Sequence, residues 1–264
     1  MSSYIMDNEA EGERIEQKTD SVLTREQLAW AGLTHGQRVL DLGCAAGTTS
    51  RIMADIVGPA GQVIGVDASG QRVEDARHRT ASGNAEFRHG HADAVPLEDD
   101  AVDLAWSRFL YEYLPEPDKA LREMIRVTKP GGTVVVSDLD GNCIWHDGMG
   151  SALQSEIAAA IDSFGPGFDP GVGRRLPAMF LASGLVDIDV DIRAYHIVCG
   201  RLTEPALIHW RMKLDGVRRS LADLGWPEER ADALAKGFEN HLLDDRTFTY
   251  SVLITVKGTK PTHQ

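Results

Sequence analysis

The stretch Arg38-Val39-Leu40-Asp41-Leu42-Gly43-Cys44-Ala45-Ala46-Gly47-Thr48 decides the reading of the fold. Its first five residues are a short apolar run interrupted by one acid, the next five are small, and Thr48 opens TTSRIMADIV, which reads as a helix. A strand that passes through a tight small-residue turn into a helix leaves unpaired N–H groups at the helix start, where an anionic group can sit, and lets a ligand approach the backbone. The spacing narrows the ligand class. A dinucleotide fingerprint begun at Gly43 would need glycine at Ala45 and a small residue at Thr48, and the phosphate-gripping G-x-x-x-x-G-K-[ST] is absent. What stands is D-x-G-x-x-x-G, with Asp41 two residues before the first glycine and able to accept from a ligand ammonium group.

Outward from this turn, QVIGVD (62–67), AEFRHG (85–90), VDLAWS (102–107) and TVVVSD (133–138) read as further strands. They alternate with helices over 48–57, 69–81 and 117–128, the pattern of repeated strand-helix units and a mainly parallel sheet. Pro130-Gly131-Gly132 stops the last helix and turns the chain into the fifth strand. Beyond Asp140 the regularity weakens: GNCIWHDG (141–148) and FGPGFDPGVG (164–173) read as loops around a helix over 151–164. A helix over 175–184, an alternating strand over 186–198 and another over 246–258 follow. Between these two strands, residues 203–240 form a helical insertion too long for a hairpin turn.

A second acid, Asp67, ends the second strand twenty-six residues after Asp41, where a carboxylate can take both hydroxyls of a ribose. VLDLGCAAGTTS, VIGVDAS, HADAVPLEDDAVDLAWSRFLYEYLPEP and ALREMIRVTKPGGTVVVSDLD resemble, in order and spacing, the class I S-adenosylmethionine-dependent methyltransferases. Within these they are nearest the branch of ubiquinone and menaquinone biosynthesis C-methyltransferases. The resemblance covers about Gln37 to Asp140, and it departs mildly at Ala45 and Ala46, where many members have glycine or threonine.

The resemblance implies an α/β fold: a Rossmann-like, doubly wound sheet of seven mostly parallel strands with an antiparallel last strand. It implies S-adenosylmethionine as cofactor, its methionine part held by Asp41, Gly43, Ala45, Ala46 and Gly47 and its ribose by Asp67 with Ala68 beside it. Asp93 and Ala94 border the adenine, and Ser107 lines the sulfonium end. One domain is expected: a helical lid over 1–36, a cofactor core over 37–140, substrate-side loops, sixth strand and insertion over 141–246, and a last strand over 247–258. In many relatives a leading helix closes over the cofactor, which makes Tyr4 and Gln17 lid contacts; simple helix packing is the alternative.

Composition excludes other classes. Twenty-seven basic residues against forty acidic ones give a net charge of −13, which argues against non-specific grip on nucleic acid, since that depends on Lys and Arg displacing counterions. No apolar run reaches a membrane span and the N-terminus lacks an apolar signal core, so a cytoplasmic protein is expected. Cys44, Cys143 and Cys199 are far apart and without C-x-x-C pairing, which speaks against a zinc site or a disulfide framework. His89-x-His91-x-Asp93 resembles part of a two-metal hydrolase signature, but Ala94 replaces its last histidine and no downstream ligand cluster follows; no metal is expected. A G-x-S-x-G nucleophile turn is absent.

Methyl transfer from a sulfonium is an in-line displacement that depends mainly on alignment in a dry pocket, with a base where the acceptor must lose a proton. His146, in the loop after the fifth strand, is the first candidate for that base. Tyr111, Trp145, His209 and Trp210 are candidate substrate contacts. The expected acceptor is a small apolar or aromatic metabolite of secondary metabolism, methylated on O, N or an activated carbon, with the insertion serving as a roof or as a homodimer surface. The alternative is a protein of the same fold that binds the cofactor without methylating, as a cyclase or rearrangement catalyst.

Overall fold

In the computed structural model, which describes residues 21–204 and 206–262 apart from the side chains of 142–145, the strand-helix units fall close to where the pattern puts them. After α1 (Ser21–Trp30) come β1 (Arg38–Leu42), α2 (Thr48–Val57), β2 (Gln62–Asp67), α3 (Gly70–Arg79), β3 (Ala85–His89) and β4 (Val102–Arg108). A 3-10 turn (Tyr111–Tyr113) leads to α4 (Pro117–Val127) and β5 (Thr128–Asp147). The second half holds α5 (Ser151–Ser163), α6 (Val172–Ala182), β6 (Val186–Cys199), α7 (Ala206–Asp223), α8 (Glu228–Leu242) and β7 (Phe248–Thr259).

The seven strands form one sheet in the order β3-β2-β1-β4-β5-β7-β6. β1 is parallel to β2 on one side and to β4 on the other, and only β7 runs against its neighbours β5 and β6. The chain thus winds outward from β1 to β3 and returns to β4 across β1. That reversal opens a crevice at the carboxyl ends of β1 and β4, the place where open α/β sheets bind ligands.

Both faces of the central strands are covered, which is why β1 and β2 are nearly continuous apolar runs. On one face Leu28 of α1 and Ile52 and Met53 of α2 pack on Val39, Val63, Leu104 and Trp106. On the other, Leu121 and Met124 of α4 and Leu176 and Phe180 of α6 pack on Leu40, Leu42, Ile64 and Val136. Close packing at α6 depends on Gly173, where a Cβ would lie 2.8 Å from the Leu139 carbonyl. Polar contacts anchor α1: buried Gln27 donates to Thr255 Oγ1 at 3.0 Å, and Thr255 is within 2.8 Å of Ser137 Oγ.

One expectation changes. β5 does not end at Asp138 but runs to Asp147, with Trp145, His146 and Asp147 paired to Tyr250, Thr249 and Phe248 across an irregularity after Asp140. The glycine-containing GNCIWHDG therefore belongs to a strand, because β7 supplies a partner about a hundred residues away. The insertion is two helices, α7 and α8, and these pack on α5 as a second, smaller core around Ala160, Leu221, Ala231 and Leu234. Trp226 Nε1 donates to Ser163 Oγ at 2.9 Å and ties the two parts together.

Candidate active site

The glycine turn and the acid of β2 are one unit. Asp67 Oδ2 accepts from Ala45 N at 2.9 Å and its Oδ1 accepts from Ser69 N at 2.9 Å, so a single carboxylate pins the β1–α2 turn and the start of α3. Ala45 has φ 46°, a left-handed conformation rare for a residue with a Cβ, and the bond from Asp67 is what holds it there. Gly43 and Gly47 share φ 79°, which glycine adopts without strain. Arg51 braces the turn by donating to Ala46 O at 2.9 Å. Gly47 caps α2 with no side-chain hydrogen bond, so the first N–H groups of that helix are not taken by a cap.

Asp41 lies deeper than a direct ligand contact requires. It is only 3% exposed and accepts from Ser50 Oγ at 2.5 Å. Burial, partly offset by that bond, and the nearby charge of Asp67 push its carboxyl up to about 6. A cation bound beside the turn favours the charged form of Asp41. The same burial and the same two acids push the Cys44 thiol well up, which leaves it an inert packing residue beside Val73 and Phe87.

At the carboxyl end of β4, next to Leu42, Ser107 is fully buried and its Oγ has no hydrogen-bond partner among the described residues. Asp93 and Ala94 are exposed just past β3, and Ala68 O is 2.9 Å from His89 Nε2, so these residues flank Asp67 on the β2–β3 side. Asp138, at the end of the parallel part of β5, accepts from Glu112 N at 3.2 Å and Leu139 N at 2.7 Å and so fixes the 3-10 turn. Burial and then Glu112 hold its carboxyl well above the usual range.

His146 stands on β5, with Nδ1 sharing a hydrogen bond with Thr249 Oγ1 of β7. Its ring meets Phe238 edge-on at 5.2 Å between centroids and His241 at 5.5 Å, both on α8. His241 is buried, and that burial lowers its pKa against the opposing charge of Asp244. Trp210 joins the same group through Phe238 at 5.4 Å, whereas His209 makes no ring contact among the described residues. Tyr111 is a correction: it is fully buried in the main core with its hydroxyl donating to Met124 Sδ at 3.3 Å, because the 3-10 turn folds it inward and away from the crevice. Tyr4, Gln17 and the Trp145 side chain lie outside the described residues. Sequence reasoning missed Phe109, Tyr195, His196, Phe238 and His241. The alternation of the sixth strand puts Tyr195 and His196 on opposite faces, so it carries no signal for their juxtaposition.

Residues 33–163 match the methyltransferase domain family Methyltransf_31. Over 114 residues the chain is 37% identical to an arsenite methyltransferase of Halobacterium salinarum, covering 42% of this chain and 29% of that one. Over 105 residues it is 38% identical to a demethylmenaquinone methyltransferase of Staphylococcus aureus, covering 39% and 44%. The chain therefore carries, over about half of its length, a domain similar to the S-adenosylmethionine-dependent methyltransferases. It spans less than half the length of the curated relatives it matches. Among solved structures, the [4+2]-cyclase SpnF shares the fold with a TM-score of 0.57 at 22% identity, over 91% of this chain and 81% of that one.

S-adenosylmethionine is the family's cofactor, and the residues present fit it. Two mutually repelling carboxylates suit a ligand carrying an ammonium and a sulfonium, the uncapped start of α2 suits its carboxylate, and the orphaned Ser107 hydroxyl lies at the strand ends where the reactive centre is expected. The charge argument carries a pH dependence. A bound cation lowers the Asp41 pKa from about 6, so binding releases a proton below that value. Affinity for S-adenosylhomocysteine is therefore flat above about pH 6.5 and falls by up to about tenfold per pH unit below it. Calorimetric titrations from pH 5 to 8 check this, and Asp41→Asn flattens the profile.

Proposed function

We propose that the chain transfers a methyl group from S-adenosylmethionine to an oxygen, nitrogen or activated carbon of a small apolar or aromatic metabolite by in-line displacement. The observation that carries this reading is the placement of His146. An imidazole held by Thr249 on β7 and walled by Phe238 of α8 faces the insertion and not bulk solvent alone. In this reading Asp41 and the turn from Gly43 to Gly47 hold the methionine part, and Asp67 with Ala68 takes the ribose. Asp93 and Ala94 border the adenine, and Ser107 lines the sulfonium end.

When bound, the cofactor supplies an electrophilic methyl whose bonding pair leaves with sulfur. The chain's own residues do the rest. In the tautomer that donates Nδ1–H to Thr249 Oγ1, the imidazole is basic at Nε2, the form that suits the proposed proton acceptor. Trp210 and Phe238 exclude water from that imidazole and shape the acceptor space. Cofactor work falls to residues 37–140 and acceptor work to 141–246, with the leading segment, including Tyr4 and Gln17, as a lid.

SpnF shares this fold and is a cyclase, so a cofactor-dependent cyclisation is the second reading. Product analysis separates the two. Methyl transfer gives one S-adenosylhomocysteine per product molecule, with a mass gain of one methylene, and turnover of a metabolite without S-adenosylhomocysteine sinks the methyl-transfer reading.

A further inference from the structure

The two edges of the sheet are built differently. β3 closes one side with five residues, and Arg77 of α3 donates to the Phe87 carbonyl at 2.6 Å, with Glu86 and Arg88 on either side of it. A short strand with charged side chains and a capped carbonyl is protected against pairing with another chain. β6 closes the other side with fourteen residues, and among the described residues no strand lies beyond it.

The pairing of β6 with β7 is unbroken from Asp189 to Tyr195, and the register shifts on both sides of that stretch. Asp187 and His196, each with φ 50°, mark the two breaks. Between them side chains alternate between the faces of the sheet. Val190, Ile192 and Ala194 lie on the face where Ile254 and Val256 of β7 are buried in the core beneath α6, yet all three are exposed, Ile192 at 63%. On the other face Arg193 donates to Asp191 at 2.6 Å and to Glu26 of α1 at 2.7 Å. The edge therefore carries an uncharged apolar stripe on one face and a charged pair on the other.

We propose that a second copy of this chain pairs antiparallel with β6, about a two-fold axis at Ile192 perpendicular to the sheet. Such an axis joins two seven-stranded sheets and keeps both apolar stripes on one face. Charge selects the register, because opposite charges directly across two strands favour pairing and like charges oppose it. With the axis at Ile192, Asp191 of each copy stands opposite Arg193 of the other, Val190 stands opposite Ala194, and Ile192 meets itself. An axis at Val190 sets Asp189 against Asp191, and one at Asp191 or Arg193 sets that charge against its own copy. Ile192 is also the midpoint of the regular stretch, so all seven of its residues find a partner. The blunted β3 edge stops the assembly at two copies.

Analytical ultracentrifugation of the full chain at micromolar concentration is expected to give twice the chain mass. Ile192→Lys places two ammonium groups at the axis and brings the mass down to one chain. Its far-UV circular dichroism and S-adenosylhomocysteine affinity stay unchanged, since the side chain is exposed in the single chain. The register is read by cross-linking in a chain carrying Cys143→Ser and Cys199→Ser. Directly opposed residues have Cα atoms about 4.5–5.5 Å apart, within disulfide reach, so Ile192→Cys links two chains on oxidation. Val190→Cys meets its own copy four residues further along, about 14 Å away at about 3.4 Å per residue, and does not link. A single-chain mass for the parent overturns the proposal and leaves the edge to a different protein. A dimer that survives Ile192→Lys, or one in which Ile192→Cys links no better than Val190→Cys, overturns it as well.

Discussion

Replacing Asp67 by alanine lowers the affinity for S-adenosylhomocysteine by about a hundredfold, or about 3 kcal/mol at 1.4 kcal/mol per tenfold. The size follows from what this carboxylate does before any ligand arrives. It accepts from the backbone N–H groups of both Ala45 and Ser69, and hydrogen bonds to a charged group contribute about 1.5–3 kcal/mol each. Without it, the left-handed Ala45 relaxes and the turn loses the shape that the ligand meets. The variant also loses the proposed ribose contact, so the two losses add in one measurement. Asp67→Asn keeps one of the two accepting oxygens and loses the charge, and falls in between at about tenfold. Calorimetric titration at pH 7.5 reads all three proteins, and an alanine variant that binds like the parent removes Asp67 from the site.

The second large effect is on the fold. Gly47→Val forces a β-branched residue to φ 79°, and even a bare Cβ there would stand 2.9 Å from the Phe87 ring and 3.2 Å from Ala76 Cβ. Backbone strain of about 1–3 kcal/mol and overpacking of similar size give a loss of about 2–5 kcal/mol. For a chain of this length that lowers Tm by about 5–15 °C. Gly70→Ala is the control, since a Cβ there meets nothing within 4 Å and the change is neutral or slightly stabilising. Scanning calorimetry that finds the two variants alike contradicts the tight packing of the turn against α3 and β3.

The central strands and the cofactor turn were legible because their signals are local. RVLDL and QVIGVD are short apolar runs closed by glycine or aspartate, and each folds as the strand its residues suggest. Ser69 accepts from Arg72 N and caps α3, which is why that helix starts at Gly70 and not at the serine. What failed depends on contacts distant in sequence. The continuation of β5 through Trp145 to Asp147 needs β7, so glycine and asparagine in GNCIWHDG misled toward a loop. Tyr111 follows a strand that ends at the crevice, yet the bond from Glu112 N to Asp138 fixes the turn that carries it inward. The acceptor side was the least legible. His146 and Trp210 were visible as isolated aromatic and imidazole residues, but the bulge that turns His196 beside Tyr195 leaves no mark in the alternation VDIDVDIRAYHIV.

The site makes a single chemical claim, that a cationic methyl donor held by the β1–α2 turn and Asp67 serves a small acceptor under the α7–α8 insertion. The fate of the methyl group tests it most directly. The whole chain is incubated with S-adenosylmethionine labelled in the methyl group together with a cell extract separated into small-molecule and macromolecular fractions. The expected result is label in the small-molecule fraction, in equal amount to the S-adenosylhomocysteine formed. Label in protein or nucleic acid, with none in the small molecules, contradicts it.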